Sequence, residues 1–294
     1  MKGAILVTGG AGQLATSLAV RGGPRVHRVG RPTFDFDRPD SIALVFEQVA
    51  PWAVVNAAAW TAVDAAEAHP EEAARANRDG PALLARLCAK AAIPFIHIST
   101  DYVFDGDKGT PYVETDPTSP TGVYGRTKAE GEQAVLAANP GSIVLRTSWV
   151  YSATGKNFVR TMLNAGARNA TLKVVGDQRG APTNADDLAA AILAILDVVG
   201  DDSPSYAGLY HAAGGGETTW HGLASAALHD AARHGRPMPE VIAICTADWP
   251  TPARRPPDSR LNCDKLERVF GVRLPPWRRS LTATVDRLLA TPDP

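Results

Sequence analysis

Two side chains near the middle of the chain have the types and the spacing that suit proton transfer to a carbonyl oxygen. Tyr124 and Lys128 stand four residues apart, and on a helix this spacing places both side chains on one face. An ammonium beside a phenol favours the phenolate, so we expect the pKa of Tyr124 to fall below its usual value near ~10. Such a tyrosine can protonate an oxygen that is becoming an alkoxide. The same pair also occurs on solvated helix faces, so it needs support from other residues.

A glycine-rich turn at the start of the chain gives that support. The apolar run 4–7 is typical of a buried parallel strand, and the glycine-rich stretch follows it directly. Glycines allow a tight turn and a close backbone approach, and a helix that starts near Gly12 points its first amides at a phosphate. We therefore expect Gly9, Gly12, Gln13 and Leu14 to bind a dinucleotide. The other interpretation is a strand-to-helix turn without a ligand.

Apolar strands alternate with helical stretches from this turn onward. The sequence predicts further strands and helices, in chain order, at Val26–Val29, Ser41–Val49, Trp52–Asn56, Glu71–Ala91, Phe95–Ile98, Tyr124–Ala138 and Ile143–Thr147. This order predicts the α/β class with a doubly wound parallel Rossmann sheet. Residues 1–150 are expected to form an NAD(P)-binding domain, joined by part of 185–212. Residues 151–294 are expected to form mainly a smaller α/β substrate-binding domain, whose helices are predicted at about 186–199, 220–233, 264–270 and 278–289.

Polar side chains follow three of these strands, where doubly wound sheets bind their ligands. Asn56 leads into Ala57 and Ala58, which we expect beside the coenzyme, and Ser99 and Thr100 end the strand that begins at residue 95. A hydroxyl at such a strand end can donate to a carbonyl oxygen and polarise it. It can equally cap the strand end, so the assignment depends on the tyrosine and lysine described above.

The composition excludes several other classes of protein. The formal net charge is -1, which gives no basic field for nucleic acid. No apolar run is long enough to span a bilayer, and we expect a cytoplasmic protein without a leader segment. Cys88, Cys245 and Cys263 are isolated and are expected to be reduced packing residues. No histidine pair has helical i,i+4 spacing, so a dedicated metal site is not expected.

Together, the glycine-rich turn, the Ser99 and Thr100 hydroxyls, and Tyr124 with Lys128 resemble the extended short-chain dehydrogenase/reductase family. Six longer strings, which run in order over nearly the whole chain, resemble one branch of it, the dTDP-4-dehydrorhamnose reductases. These strings are residues 56–64, 99–104, 123–128, 146–151, 177–183 and 251–256. The resemblance implies that NAD(P)H reduces the 4-keto group of dTDP-4-dehydro-L-rhamnose to give dTDP-L-rhamnose. It also implies that Thr100 holds the keto oxygen, Tyr124 protonates it, and Lys128 tunes Tyr124 and binds the nicotinamide ribose.

The resemblance also implies contacts to the dTDP-sugar. Val63 and Gln178 are expected to bind substrate on this ground alone, and Asp101 joins them through its place in the matching string. Trp149 is expected to stack on the hexose, with core packing as the alternative. Arg255 has the fork geometry that suits a pyrophosphate, with an exposed lid arginine as the alternative.

Two features of the sequence bear on the reaction and on assembly. Nucleotide-sugar dehydratases resembling this chain carry an Asp-Glu pair where Asp101 is followed by Tyr102, so the chain favours reduction over removal of water. Some members bind a divalent ion through acids at a dimer contact, one of them in the first helix. Ser17 stands in that place, which leaves Mg²⁺ dependence and a homodimer open.

The second strand bears on the choice of coenzyme. An NAD-binding turn usually has an acid at the end of that strand, but this chain has Arg28 and Arg31, with no carboxylate before Asp35. We expect Arg31 to pair with a 2′-phosphate and so to favour NADPH, while Asp35 and Phe36 lie near the adenine. Reductases that this chain resembles often accept NADH as well.

Two other functions remain open from the sequence. One is a reductase or epimerase of a different nucleotide-linked 4-keto-6-deoxyhexose, because the catalytic residues would be the same. The other is a catalytically idle NADP-binding regulatory subunit, as occurs in a relative of this family.

Overall fold

The computed structural model describes residues 3–200 and 202–290, and these residues form a doubly wound α/β fold. Six parallel strands make the central sheet in the order β10-β5-β4-β3-β1-β2. They are β1 (Ile5–Thr8), β2 (Val26–Arg28), β3 (Ala53–Asn56), β4 (Phe95–Thr100), β5 (Ile143–Thr147) and β10 (Gly208–His211). The fold class predicted from the alternation of strands and helices is confirmed, because every strand of this sheet pairs in parallel.

Helices cover both faces of the sheet. In chain order they are α1 (Gln13–Gly22), α2 (Pro39–Val49), α3 (Val63–Ala68), α4 (Pro70–Ala74), α5 (Gly80–Ala91), α6 (Val123–Ala138) and α8 (Ala185–Val199). On one face, α1 and α8 contact each other and share a core with the inward side chains of β1, β3 and β5. On the other face, α2, α5 and α6 contribute to a second core. The chain reverses direction across the sheet between β1 and β3, which is where such folds place their ligand crevice.

Smaller elements follow β5 in the chain. The strands are β6 (Val150–Tyr151), β7 (Thr171–Val175), β8 (Arg179–Gly180), β9 (Thr183–Asn184), β11 (Thr218–Thr219) and β12 (Glu240–Ile244). The helices are α7 (Phe158–Gly166), α9 (Trp220–Ala232), α10 (Asp264–Phe270) and α11 (Trp277–Ala290). Helices α7, α9 and α11 enclose an apolar cluster of their own, and α10 packs against β10 and α8. The division of the chain at residue 150 stays a prediction.

Three helical features differ from the sequence prediction. The single helix expected over Glu71–Ala91 is interrupted by a π-helical turn at Arg75–Asp79, and neither α3 nor α7 was predicted. The π-turn places Asn77 where its side chain accepts from the Trp60 amide at 2.8 Å and donates to Thr127 at 3.0 Å. Within the described residues, no helix is both long and apolar enough to cross a membrane.

Candidate active site

Helix α6 carries Tyr124 and Lys128, as predicted, and packs closely on the end of β4. Gly125 makes this approach possible, because a side chain there would collide with the carbonyl oxygen of Tyr102. The Tyr102 and Tyr124 rings meet edge to face with centroids 5.8 Å apart. Lys128 is buried, and its Nζ donates to the carbonyl oxygen of Ile98 at 2.6 Å. The phenol and the ammonium are therefore fixed by the backbone of β4 and the segment after it.

Burial decides the ionisation of both groups. It raises the pKa of Tyr124 to about 12, although a contact with the Thr100 hydroxyl opposes the rise. It lowers the pKa of Lys128 to about 8, opposed by the charge of Glu132. The fall expected for the pKa of Tyr124 is wrong for this structure, because the Lys128 Nζ lies against the Ile98 carbonyl and burial outweighs its charge. Tyr124 is therefore a phenol and a proton donor at neutral pH.

The end of β4 separates two neighbouring hydroxyls. Ser99 Oγ donates to Glu132 at 2.5 Å, and Glu132 in turn forms a buried ion pair with Arg146 at 2.6 Å. Thr100 points the other way, as successive side chains of a strand must, and its hydroxyl donates to Asp101 at 3.1 Å. Of the two hydroxyls that the sequence offered, Thr100 is the one that meets Tyr124.

Asp101 is a buried carboxyl group beside this hydroxyl. Its side chain is 2 % exposed, and its Oδ2 has no hydrogen-bond partner among the described residues. Burial raises the pKa of Asp101 to about 7, although hydroxyls of Ser259 and Thr100 oppose the rise. An acid with such a pKa is close to half protonated at neutral pH.

The glycine-rich turn fits a dinucleotide phosphate. Gly9 has a φ of 107°, which other residues rarely adopt, and a side chain there would collide with the Ala57 carbonyl. Gly12 caps α1, and no side chain bonds to the first amides of that helix. These amides are free to bind an anion. Gln13 is held by Ser152, whose hydroxyl donates to it at 3.0 Å, and Leu14 is buried in the core.

The predicted adenine and 2′-phosphate residues form a compact ionic group after β2. Arg31 donates to Asp35 at 2.9 Å and to Asp37 at 2.6 Å, and its side chain is 64 % exposed. Its charge is therefore shared with two carboxylates, which the sequence reasoning missed. Phe36 packs against the Gly80 backbone at the start of α5, and the Ala58 amide after β3 donates to Thr8.

Trp149, two residues after the end of β5, is part of an aromatic stack. Its ring lies 3.6 Å from that of Trp220, with 9° between their planes. The Trp220 indole donates to Gln178 at 3.0 Å, and Gln178 donates to Thr246 at 3.0 Å. Trp149 and Gln178, both predicted to bind substrate, thus belong with Trp220 to one bonded group, which we call the tryptophan wall.

Arg255 is bound within the protein. Its guanidinium makes a two-pronged ion pair with Asp64, with both N–O distances 2.8 Å. This pair ties the segment 249–257 to the start of α3, where Val63 lies. The neighbouring Arg254 is exposed, and no side chain among the described residues pairs with it.

Trp249 and Arg254 line a cavity of about 470 Å³, which we call the outer cavity; Asp177, Thr246, Pro250–Arg255 and Pro257 complete its walls. Trp249 is 58 % exposed there. The Arg254 carbonyl accepts from Thr121 at 3.2 Å, just before α6 begins. The outer cavity therefore adjoins the helix that carries Tyr124.

Comparison with known proteins identifies the family. A family model described as the RmlD substrate binding domain matches residues 1–290. A dTDP-4-dehydrorhamnose reductase of Sinorhizobium fredii is 47% identical over 290 residues, which cover 97% of each chain. This chain belongs to the dTDP-4-dehydrorhamnose reductase family.

Two further proteins show the breadth of the likeness. A crystal structure of the Bacillus anthracis reductase in complex with NADP has a TM-score of 0.89 at 29% identity, over 97% of this chain and 99% of that one. A probable dTDP-4,6-dihydroxy-2-methyloxan-3-one 4-ketoreductase of Streptomyces antibioticus is 41% identical over 98% of this chain and 97% of its own.

At the place of the acid that some family members use for a divalent ion, Ser17 has another role. It is buried in α1, and its hydroxyl donates to Asp186 of α8 at 2.5 Å. Residues 3–200 and 202–290 contain no group of three or more histidine, cysteine or acidic side chains placed to hold a metal ion.

Proposed function

We propose that this protein uses NADPH to reduce the 4-keto group of dTDP-4-dehydro-L-rhamnose, giving dTDP-L-rhamnose. The observation that carries the proposal is the contact of Thr100 at the end of β4 with Tyr124 of α6, with Lys128 one turn further along that helix, at the sheet edge that also presents the glycine-rich turn. The full-length likeness to dTDP-4-dehydrorhamnose reductases supplies the substrate.

The residues of the coenzyme site fit NADP. The φ of Gly9 and the uncapped start of α1 suit a pyrophosphate, and Gln13, Leu14, Ala57 and Ala58 would flank it. Arg31, Asp35 and Phe36 would meet the adenosine end. The bound coenzyme supplies a hydride. A preference for NADPH over NADH belongs to this proposal, as does a 2′-phosphate contact from Arg31.

Three side chains of the protein handle the keto oxygen and its proton. Tyr124, kept protonated by burial, donates its phenolic proton to the oxygen as that oxygen gains negative charge. The Thr100 hydroxyl donates to the same oxygen and polarises the carbonyl. To do so it turns away from Asp101, which it meets at 3.1 Å. Lys128 would hold the nicotinamide ribose of a bound coenzyme and would place a positive charge near the phenolate that Tyr124 leaves behind.

The outer cavity and the tryptophan wall would bind the rest of the substrate. Trp149 offers an aromatic face to the hexose, and Gln178 holds the wall in place through Trp220 and Thr246. Arg255, which the sequence predicted to bind the pyrophosphate, is paired with Asp64 and secures the segment. We propose the exposed Arg254 for the pyrophosphate in its place. Val63 and Asp101 complete the set of substrate contacts that we propose.

A related sugar is the second candidate substrate. The ketoreductase of Streptomyces antibioticus matches nearly the whole chain, so a different nucleotide-linked 4-keto-6-deoxyhexose would use the same three catalytic residues. A catalytically idle NADP-binding subunit is disfavoured, because the chain keeps the hydroxyls of Thr100 and Tyr124 that the reductase reaction needs as donors. The cytoplasmic location and the homodimer stay predictions.

The test is a steady-state assay of NADPH oxidation with a panel of 4-keto nucleotide sugars. We expect the highest kcat/KM with dTDP-4-dehydro-L-rhamnose and a product with the L-rhamno configuration by NMR. A higher kcat/KM for another sugar of the panel would assign the protein to that sugar. Absence of oxidation with every sugar, in a protein that binds NADPH, would leave the regulatory subunit.

A further inference from the structure

A row of buried polar side chains crosses three adjacent strands behind the active site. Thr8 ends β1, Asn56 ends β3, and His97 lies within β4; Thr8 pairs with Asn56, and Asn56 with His97, in the strand register. Each of the three is 0 % exposed. The row ends at Lys128, whose Nζ lies 3.4 Å from His97 Nε2.

The hydrogen bonds of the row run in one direction. The Ala58 amide donates to Thr8 Oγ1 at 3.1 Å, and the Thr8 hydroxyl donates to Asn56 Oδ1 at 2.6 Å. The amide nitrogen of Asn56 then faces His97 Nδ1 at 2.9 Å and donates to it. If the Asn56 amide were reversed, the Thr8 hydroxyl hydrogen would have no acceptor among the described residues, and a buried donor without a partner is costly.

This direction determines which nitrogen of His97 carries the ring proton. Burial and the charge of Lys128 hold the pKa of His97 well below its usual value, so the ring is neutral. A neutral imidazole has one donor nitrogen and one acceptor nitrogen. Because Nδ1 accepts from Asn56, the proton lies on Nε2 and points at Lys128.

The neutral amine is the form of Lys128 that can accept the hydrogen bond from His97 Nε2–H and so extend the row. An ammonium has three donors and no acceptor, so it cannot accept from His97 Nε2–H. An amine can accept that hydrogen bond and still donate to the Ile98 carbonyl at 2.6 Å.

The other charges around Lys128 come from three elements. Glu132, one turn further along α6, opposes loss of the proton, but its carboxylate is already paired with Arg146 of β5. Tyr124 of α6 is a neutral phenol, and Asp101 lies beyond Thr100 after β4. The histidine is therefore the neighbour whose hydrogen bond changes with the protonation of Lys128.

We propose that His97 is a positioning residue whose Nε2–H tautomer, fixed through Asn56 and Thr8, favours the neutral amine of Lys128. The kinetic consequence rests on the proposed reductase function, in which the Lys128 ammonium supports Tyr124. Activity is then present below the pKa of Lys128 and is lost as the pH rises through it. His97 thus sets the alkaline limit of the reaction from within the core, where it is 0 % exposed.

The first test uses the native protein without substrate. Ring ¹⁵N chemical shifts of labelled histidine, assigned to His97 by its loss in His97→Gln, report the tautomer. We expect a protonated Nε2 and an unprotonated Nδ1. A protonated Nδ1 would overturn the inference, and this result needs no variant that is active.

The second test follows Lys128 itself. Its ¹³Cε shift, assigned with Lys128→Arg, is titrated in the native protein and in Thr8→Val and His97→Gln. Thr8→Val frees the Asn56 amide to reverse, and a glutamine at 97 can turn its oxygen to the ammonium. Each variant should raise the titration midpoint by about one pH unit, the size expected for one hydrogen bond to a charged group. Unchanged midpoints in both variants would overturn the inference.

Thr183→Val is the matched control, because Thr183 is equally buried but bonds to the Ala181 carbonyl and the Gly214 amide instead. Its midpoint should equal the native one. The alkaline limb of NADPH oxidation should move with the titration midpoint in the Thr8 and His97 variants. If the midpoints move but no 4-keto sugar is reduced, the inference holds and the proposed function fails. If sugar is reduced but the midpoints do not move, the inference fails and the proposed function holds.

Discussion

The catalytic residues and the outer cavity differ in how completely they are assembled. Around Thr100 and Lys128, the polar groups are buried and mostly bonded to one another, and they project from β4 and α6. Around the outer cavity, Trp249 is 58 % exposed, Arg254 pairs with no side chain of the described residues, and both stand on a loop rich in proline. The polar groups of the first region are already bonded within the protein, whereas the second region offers an exposed ring and a cation that a ligand can cover.

This difference suggests a division of labour. Groups that act in the transition state need fixed positions, because displacement of a donor by about 1 Å is enough to weaken catalysis severely. Groups that recognise the nucleotide contribute to binding, and they can remain solvated until the substrate arrives. Substitutions near Tyr124 should therefore lower kcat, and substitutions in the outer cavity should mainly raise KM.

Tyr124→Phe should have the largest effect. It removes the phenolic proton donor and leaves the ring edge-on to Tyr102, so kcat should fall ~100- to 10,000-fold while NADPH affinity is kept. Steady-state kinetics and fluorescence titration of NADPH measure the two. Tyr102→Phe makes the same chemical change one ring away and should cost far less. Near-native turnover of Tyr124→Phe would mean that another group is the acid.

Asp101→Asn tests the energetic cost of the buried acid. The pKa of Asp101 is raised to about 7, above its ordinary 3.8, so between these values the unfolded chain ionises and the folded one does not. The free energy of unfolding should fall as the pH rises through this window, by up to ~4 kcal/mol. Asn has no charge to lose, so the variant should be more stable than the native protein at about pH 8, and the gap should close toward about pH 4.

Urea unfolding at several pH values measures this gap. The other carboxylates are shared by both proteins and cancel in the difference. A difference that does not change with pH would mean that Asp101 is ionised in the folded protein at neutral pH.

Arg254→Met tests the outer cavity. The loss of one charge-assisted contact to a pyrophosphate should raise the Kd for dTDP ~10- to 100-fold, with kcat nearly unchanged. Isothermal titration with dTDP measures this, and Arg254→Lys should restore part of the affinity. An equal loss of affinity for thymidine, which has no phosphate, would show that Arg254 acts on the fold of the loop instead.

Arg31→Ala should have the smallest effect of the four. We expect the native protein to prefer NADPH in kcat/KM by several-fold to ~100-fold, and the variant to lose much of that preference. Because Asp35 and Asp37 already share the charge of Arg31, the preference should lie toward the lower end of that range. Equal kcat/KM for both coenzymes in the native protein would contradict the proposed contact of Arg31 with the 2′-phosphate.

The sequence predicts the inner region far better than the outer one. Apolar strands and the helix at Tyr124 follow local patterns, and the doubly wound fold follows from their order. The π-turn at Arg75–Asp79 does not, because it depends on the bonds of Asn77 to Trp60 and Thr127. Asp64 and Arg255 form an ion pair although they stand 191 positions apart. No local sequence pattern indicates that Arg255 is already paired within the protein. Helix α7 was missed because its surroundings are dense in loops.

Our central claim is that Thr100, Tyr124 and Lys128 promote the transfer of a hydride from the coenzyme to C4 of the sugar. A single-turnover reaction of the native protein with coenzyme deuterated at the transferred position, and with dTDP-4-dehydro-L-rhamnose, tests it directly by NMR of the product. The account predicts one deuterium at C4 of dTDP-L-rhamnose, and almost none with Tyr124→Phe on the same timescale. Deuterium at another carbon, or an oxidised coenzyme with no deuterium in the sugar, would contradict it.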